Sequence, residues 1–285
     1  MRTWLALLVV FVAARPVHAW GSSGHEIVGE IAERLVMSRT RDEIATLLEP
    51  GRRLAEIADW ADDYRKRCRN TGPWHYVNIP LDAAGYVRAR DCSDAAGSCV
   101  IRAIDDARTV LGDRARPTAA RRLALHMLVH FVADLHQPLH AGSRADRGGN
   151  DLRVRFERRE TNLHRVWDHD LIAWTGRSVA AYSDMLVRSL RAPERQRLSG
   201  GSVVQWAEES QRAARHAYAG LPLPLRDAPP ISLDDRYAKS MLRLLDAQLL
   251  RAGVRLAHTL DSVLAKRAPA AGDAVVEALL RCAYR

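Results

Sequence analysis

The chain has 285 residues, 43 of them basic against 34 acidic, for a formal charge of +9, and 47% of its residues are apolar. That length and apolar content suffice for one large core or two small ones, and beyond the first few residues nothing approaches a membrane span, which excludes an integral membrane bundle. The positive balance, carried mostly by Arg, favours anionic partners such as nucleic acid or phospholipid head groups.

Arg2 gives a basic start, Leu5 to Val12 form an apolar run, and Val17-His18-Ala19 ends in small residues. This is the anatomy of a secretory signal, too short to span a bilayer, so residues 1–19 are expected to be removed and the mature protein to be secreted or periplasmic. Trp20 then becomes the first residue, and loss of Arg2 and Arg15 lowers the charge from +9 to +7.

Helical periodicity dominates the remainder of the chain. Ile27, Ile31 and Leu35 recur four apart within 24–37, and similar patterns predict helices near 41–48, 52–67, 99–111, 117–136, 163–174, 178–190 and 202–218. The longest pattern, 234–265, carries a stripe from Met241 through Leu245, Leu249, Leu256 and Leu260 to Leu264, interrupted by Gly253. One strand signal stands out. After Gly148-Gly149, Leu152, Val154 and Phe156 alternate with charged residues, which predicts a small β-hairpin near 150–157. The expected fold is all-α, a single domain of long packed helices with functional loops between them, over 20–266. The tail 267–285 is expected to be poorly ordered. Cys92 and Cys99 close a short loop and are expected to form a disulfide in an exported chain, whereas the pairing of Cys68 and Cys282 stays open.

The chemistry concentrates in HMLVHFVADLHQPLH, residues 126–140. His130 and Asp134 are four apart and share a helix face, and Pro138 should end that helix and turn His140 back toward them. His164 and Asp168 repeat the spacing on a second helix. Imidazole and carboxylate are the ligands of open catalytic zinc sites, so two such pairs point to at least two metals. One His-x-x-x-Asp alone would be an ordinary surface or capping contact. His126 reads as an ordinary residue one turn before His130, His136 as a residue supporting the ligands or lying in a loop, His169, His216 and His258 as ordinary surface or core residues, and Trp60, Trp74 and Trp167 as wedges flanking the ligands.

WGSSGH at 20–25, DWADDYR at 59–65, WHYVNIP at 74–80, LVHFVADLHQPLH at 128–140, GGND at 148–151 and NLHRVWD at 162–168 resemble, in order and spacing, the zinc-dependent single-strand nucleases of the S1/P1 type. A further likeness lies in LLRAGVRLAHTL at 249–260. The resemblance implies the fold shared with zinc-dependent phospholipase C, and three zinc ions. One would take Asp62, His75, His130 and Asp134, and a second His140, His164 and Asp168. The third would take His25, Asp134 as a bridge, and the amine and carbonyl of Trp20. An α-amine titrates near pH 8 and can ligate where an amide nitrogen cannot, so cleavage after Ala19 would be an activation step.

Three zincs against three carboxylates and a bridging hydroxide leave a net charge of about +2, suited to a phosphodiester, with metal-activated hydroxide as nucleophile. The resemblance makes Asp134 and Arg65 the catalytic pair, with Arg65 adding charge to the transition state. Tyr76 would stack on a base, Asn78 would meet a base edge where many relatives carry Asp, and Asn150 would orient phosphate or serve only as a turn residue. The implied function is an endonuclease acting on single-stranded DNA and RNA, with 3′-nucleotidase activity, as a monomer without stable membrane association or a protein partner. Two rivals remain, a phospholipase C acting on lipid head groups and an idle secreted protein that keeps metal for stability.

Overall fold

The computed structural model describes residues 20–93, 98–223 and 228–265. The signal-like segment, the tail and Cys282 lie outside them. In chain order the helices begin with α1 (Ser22–Leu35) and α2 (Ser38–Leu47), then α3 (Trp60–Arg67) and α4 (Arg88–Asp91). Next come α5 (Val100–Gly112), α6 (Thr118–His136), α7 (Pro138–Ala141), α8 (Leu163–Arg165) and α9 (Leu171–Trp174). The last four are α10 (Val179–Ser189), α11 (Ala192–Ser199), α12 (Val203–Ala217) and α13 (Asp235–Ala265). The all-α expectation holds, and none of the described helices is long and apolar enough to cross a membrane.

α6 is the axis of the molecule. From Leu123 to His136 every residue but His126 is buried, and α1, α2, α3, α5, α12 and α13 all pack against this helix. A helix covered on all sides needs apolar residues on all sides, and the run LALHMLVHFVADL meets that requirement except at its chemically active positions. α13 crosses both α6 and α1. At the α1 crossing Gly253 lets the backbones meet, because a Cβ there would fall 2.3 Å from Ile31 Cγ2.

Behind α6 a buried polar network ties its last turn to α12 and α13. Arg255 donates to His136 Nε2 at 3.0 Å, to Glu209 Oε2 at 2.7 Å and to the Leu198 carbonyl at 3.0 Å. Gln248 Nε2 donates to the His136 carbonyl at 2.8 Å. Each polar group of this ionic cluster has a partner, which is the condition for its burial.

The strands differ from expectation in extent. β3 (Arg153–Phe156) pairs antiparallel with β4 (Arg159–Asn162), joined by Glu157 and Arg158, both at positive φ. The hairpin thus runs to 162, because its second strand, RETN, carries no apolar alternation to announce it. β5 (Ile231–Leu233) adds a parallel third strand beside β3. A separate two-residue parallel pair joins β1 (Ile79–Pro80) to β2 (Gly142–Ser143).

Helix propensity alone would make Gly253→Ala stabilising by about 1 kcal/mol. The Ile31 contact predicts the opposite, a net loss within the range of about 1–3 kcal/mol typical of overpacking. Urea unfolding at neutral pH should show a lower midpoint; a raised one would mean that α1 and α13 separate at little cost.

Candidate metal centre

Three breaks in the helices aim the histidines. The first lies in 52–67, expected as one helix. Instead a 3₁₀ turn spans Ala55–Ile57 and α3 starts anew at Trp60. The Asp62 amide bonds the Asp59 carbonyl at 3.0 Å, leaving the Ala58 carbonyl to accept from His130 Nδ1 at 2.7 Å.

The second break is the predicted one before Pro138, where Gln137 turns extended (ψ 116) and ends α6. Gln137 then works at both ends. Its Oε1 accepts from the Leu139 amide at 2.6 Å, capping α7, and its Nε2 donates to Asp168 Oδ1 at 2.7 Å. His140, carried round by α7, donates Nδ1–H to the His75 carbonyl at 2.8 Å, and the Val77 amide returns a bond to the His140 carbonyl at 2.7 Å.

The third is a π turn, Val166–Asp170, between α8 and α9, so the helix expected over 163–174 carries Asp168 on a widened turn. Its His164 donates Nδ1–H to the Gly148 carbonyl at 2.7 Å. Gly148 (φ +62) makes that possible, since a Cβ there would sit 2.3 Å from the Leu139 carbonyl oxygen.

These bonds settle which ring nitrogens face inward. A carbonyl only accepts, so the Nδ1 atoms of His130, His140 and His164 carry hydrogens and their Nε2 atoms point into the centre, as lone pairs on His140 and His164. His140 Nε2 and His164 Nε2 stand 3.2 Å apart, and Asp168 Oδ2 lies 3.3 Å from the latter. Burial lowers both imidazoles, His164 to about 3, so no proton separates their lone pairs at neutral pH. Burial likewise pushes the Asp168 carboxyl well above its usual range, with the Gln137 bond opposing.

On the other side, Asp134 is fully buried and accepts from three rings. His75 Nδ1 and His130 Nε2 reach its Oδ2 at 3.0 and 3.1 Å, and His25 Nε2 reaches Oδ1 at 3.2 Å. Burial alone would lower His130 and raise Asp134. The attraction between the two outweighs it, raising His130 to about 9 and holding Asp134 well below the usual carboxylate range. His75 falls to about 4, chiefly through burial. Asp62 completes this side, with His75 and His130 nitrogens 3.8 and 3.9 Å away and Arg65 at 3.1 Å.

Three groups of ligand atoms therefore converge: Asp62, His75 and His130; His25, His130 and Asp134; and His140, His164 and Asp168, the atoms of each within 4.8 Å of one another. A tetrahedral zinc with bonds of about 2.0–2.1 Å has ligand atoms about 3.3 Å apart, close to the separations of these inward-facing pairs. Paired lone pairs beside buried carboxylates are a donor set that a divalent cation suits better than protons do.

Trp20 is fully buried and donates Nε1–H to the Ala133 carbonyl at 2.9 Å, one residue before Asp134. The Gly21 amide donates to the Asp168 carbonyl at 2.9 Å, so the first described residues lie between the two sides of the centre. His25 stacks on His130 with ring centroids 4.0 Å apart.

Around the rim, Arg65 is partly exposed, Tyr76 is 39% exposed directly after His75, and Asn78 is exposed. Asn150 donates its side-chain amide to the Arg147 carbonyl at 2.8 Å and so closes the turn it sits in. Sequence reasoning missed Gln137, Asp146, whose Oδ1 accepts from the Gly149 amide at 3.0 Å and the Tyr218 hydroxyl at 2.8 Å, and His169, packed against Gly21. Gln137 alone had a signal, as a residue held extended before a proline between two ligands. Among histidines read as ordinary, His126 edges the Trp60 ring at 5.1 Å, while His216 and His258 are exposed. Cys92 and Cys99 form the expected disulfide.

His126 supplies a test of stability against pH. Burial first, then Arg122 and Arg52, lower its folded pKa to about 4 from 6.5. The stability tied to its neutral ring is complete above pH 6.5 and is lost as pH falls toward 4, because the unfolded chain takes up the proton first. Replacing it by Phe should flatten the fall of the urea midpoint across that window. An unchanged slope would mean that the folded chain protonates His126 freely.

Comparison with known proteins bears on this geometry. Residues 20–265 match the S1/P1 Nuclease family. The chain is 32% identical to Endonuclease 4 of Arabidopsis thaliana, over 96% of this chain and 99% of the relative. It is 31% identical to Endonuclease 5 of the same plant, over 95% and 100% respectively. Nuclease S1 of Aspergillus oryzae is 32% identical over 62% of this chain and 65% of its own length.

Proposed function

This chain belongs to the S1/P1 nuclease family, and on that premise we propose that it is an exported three-zinc endonuclease cutting single-stranded DNA and RNA to 5′-phosphorylated products, with 3′-nucleotidase activity. As a nuclease it hydrolyses phosphodiester bonds, and the phospholipase and idle-binder readings lose their ground. The observation that carries the three-zinc reading is the convergence of three buried His/Asp groups, two of them joined through His130 beside Asp134.

In this reading Asp62, His75, His130 and Asp134 hold one zinc, and His140, His164 and Asp168 hold a second. His25, Asp134 and the amine and carbonyl of Trp20 hold the third. Zinc so bound supplies Lewis acidity, polarising a phosphoryl oxygen and lowering the pKa of water toward about 7. The protein does the rest by position. The Ala58, His75 and Gly148 carbonyls hold three imidazoles in the tautomer that presents Nε2 inward, and Gln137 leaves Asp168 Oδ2 for the centre.

Arg65, 3.1 Å from Asp62 and partly exposed, brings a guanidinium to the mouth of the centre for the phosphate oxygens. Tyr76 offers an aromatic face for one base, worth about 1–3 kcal/mol and indifferent to which base it is. A duplex hides base faces, which is why the substrate is single-stranded. Asn78 offers a donor and an acceptor to a base edge, and Asn150 serves the turn that positions Gly148. Export follows from the signal-like segment before Trp20, and the mature enzyme acts as a monomer.

Asp134→Asn should cost at least about 10³-fold in kcat on single-stranded DNA, since it weakens two zincs at once. Metal analysis should show zinc per chain falling together with activity; full activity would sink the assignment. A preparation starting at Trp20 should bind three zincs, and one with extra residues before Trp20 two, with weak activity. Equal zinc content and activity in both would refute the role of the amine.

A further inference from the structure

Residues 143–149 form a loop that touches the surroundings of both His140 and His164. His164 donates Nδ1–H to the Gly148 carbonyl at 2.7 Å and its backbone amide to the Gly149 carbonyl at 3.3 Å. On the other side Gly148 lies against the Leu139 carbonyl, one residue before His140, where a Cβ would fall 2.3 Å from the oxygen. A shift of this loop therefore turns the His164 ring and disturbs the seat of His140 together.

The loop is not one that its own residues would hold. Ala145, Arg147, Gly148 and Gly149 all take positive φ, between 54° and 81°, and two of the four carry a Cβ. Asp146 stands among them as the anchor. It is buried, its Oδ1 accepts from the Gly149 amide at 3.0 Å, and its carbonyl accepts from the Asp151 amide at 3.1 Å. The same Oδ1 accepts from the Tyr218 hydroxyl at 2.8 Å. Among the described residues this is the carboxylate's only hydrogen bond from outside the loop, and Oδ2 has none.

Tyr218 is itself fixed. It is buried at the C-terminal end of α12, its amide bonds the Ala214 carbonyl at 3.0 Å, and the Arg144 guanidinium lies 4.5 Å over its ring. Burial, and then the charge of Asp146, raises the hydroxyl above its ordinary range, so it is the donor of the pair. α12 packs along α7, and it presses on β2 so closely that a Cβ on Gly142 would fall 2.6 Å from the Ala214 Cβ. The hydroxyl thus comes from a helix already seated against the segment that carries His140.

We propose that Tyr218 is a positioning residue for the second zinc, acting through Asp146 and the Gly148 carbonyl on His164. The proposal rests on the metal reading of His140, His164 and Asp168. Without its outside anchor the loop lets the His164 ring turn, and the ring no longer holds its lone pair where a cation needs it.

Tyr218→Phe removes one hydroxyl and keeps the ring under Arg144. Competition titration of the mature protein against a chromophoric chelator should show one of three zincs held about 10-fold more weakly, the low end of the loss for groups that support a metal ligand. Activity on single-stranded DNA should fall at limiting zinc and return at excess zinc with KM unchanged, which a general loss of stability would not produce. Zinc affinities that stay at native values, or that fall equally at all three sites, overturn the proposal. If the native protein binds no zinc at the second site, the metal reading fails by itself. Exchange of the His164 Nδ1 hydrogen in the metal-free proteins, followed by NMR, then decides whether Tyr218 positions His164. Faster exchange in the variant supports that role, and equal exchange overturns it. If Tyr218→Phe does not fold, the same measurements are read in Asp146→Asn, which keeps both acceptor bonds and weakens them by removing the charge.

Discussion

A carboxylate taken wholly out of water costs several kcal/mol unless cations or strong donors surround it, and Asp134 occupies that position in the last turn of α6. Its surroundings meet the cost with three imidazoles drawn from α1, α6 and the segment after α3. Much of the architecture follows from supplying those rings. α1 must start beside α6 to bring His25, the helix expected at 52–67 must break to free the Ala58 carbonyl, and the chain after α6 must reverse at once to return His140.

The reversal is held from behind as well as from the front. His136 and Gln137 are adjacent, yet they face opposite ways. His136 is clamped by Arg255 and Gln248 from α13, and Gln137 caps α7 and holds Asp168. The end of α6 is thus tied to the far helix on one side and to the metal centre on the other. Loss of either tie leaves a buried polar group without its partner, so the two sets of contacts stabilise one backbone turn between them.

The parts legible in sequence were those governed by a short period or a rigid residue. His130 with Asp134 and His164 with Asp168 declared themselves through the four-residue spacing, and Pro138 declared the reversal. The long apolar stripe gave α13 to within a residue at its start. Legibility failed where tertiary contacts decide. Nothing local announces the break at residues 58–59, because the carbonyl it frees is wanted by a histidine seventy-two positions away. RETN carries no strand pattern and is a strand only because β3 lies beside it. Gly253 looked like a modest flaw in a helix and is the point where two helices touch.

The Cys92–Cys99 disulfide separates two kinds of dependence in the same working surface. Cys99 caps α5, and the next amide, that of Val100, bonds the Tyr76 carbonyl at 3.1 Å. The crosslink, worth about 2–3 kcal/mol for so short a loop, thereby steadies the Tyr76 backbone through α5. If Tyr76 stacks on a base as proposed, the hydrolytic floor answers to chelators and the aromatic shelf to thiols. In the proposed reading, an oxidising compartment is a condition for gripping the substrate, separate from the supply of metal for cutting it.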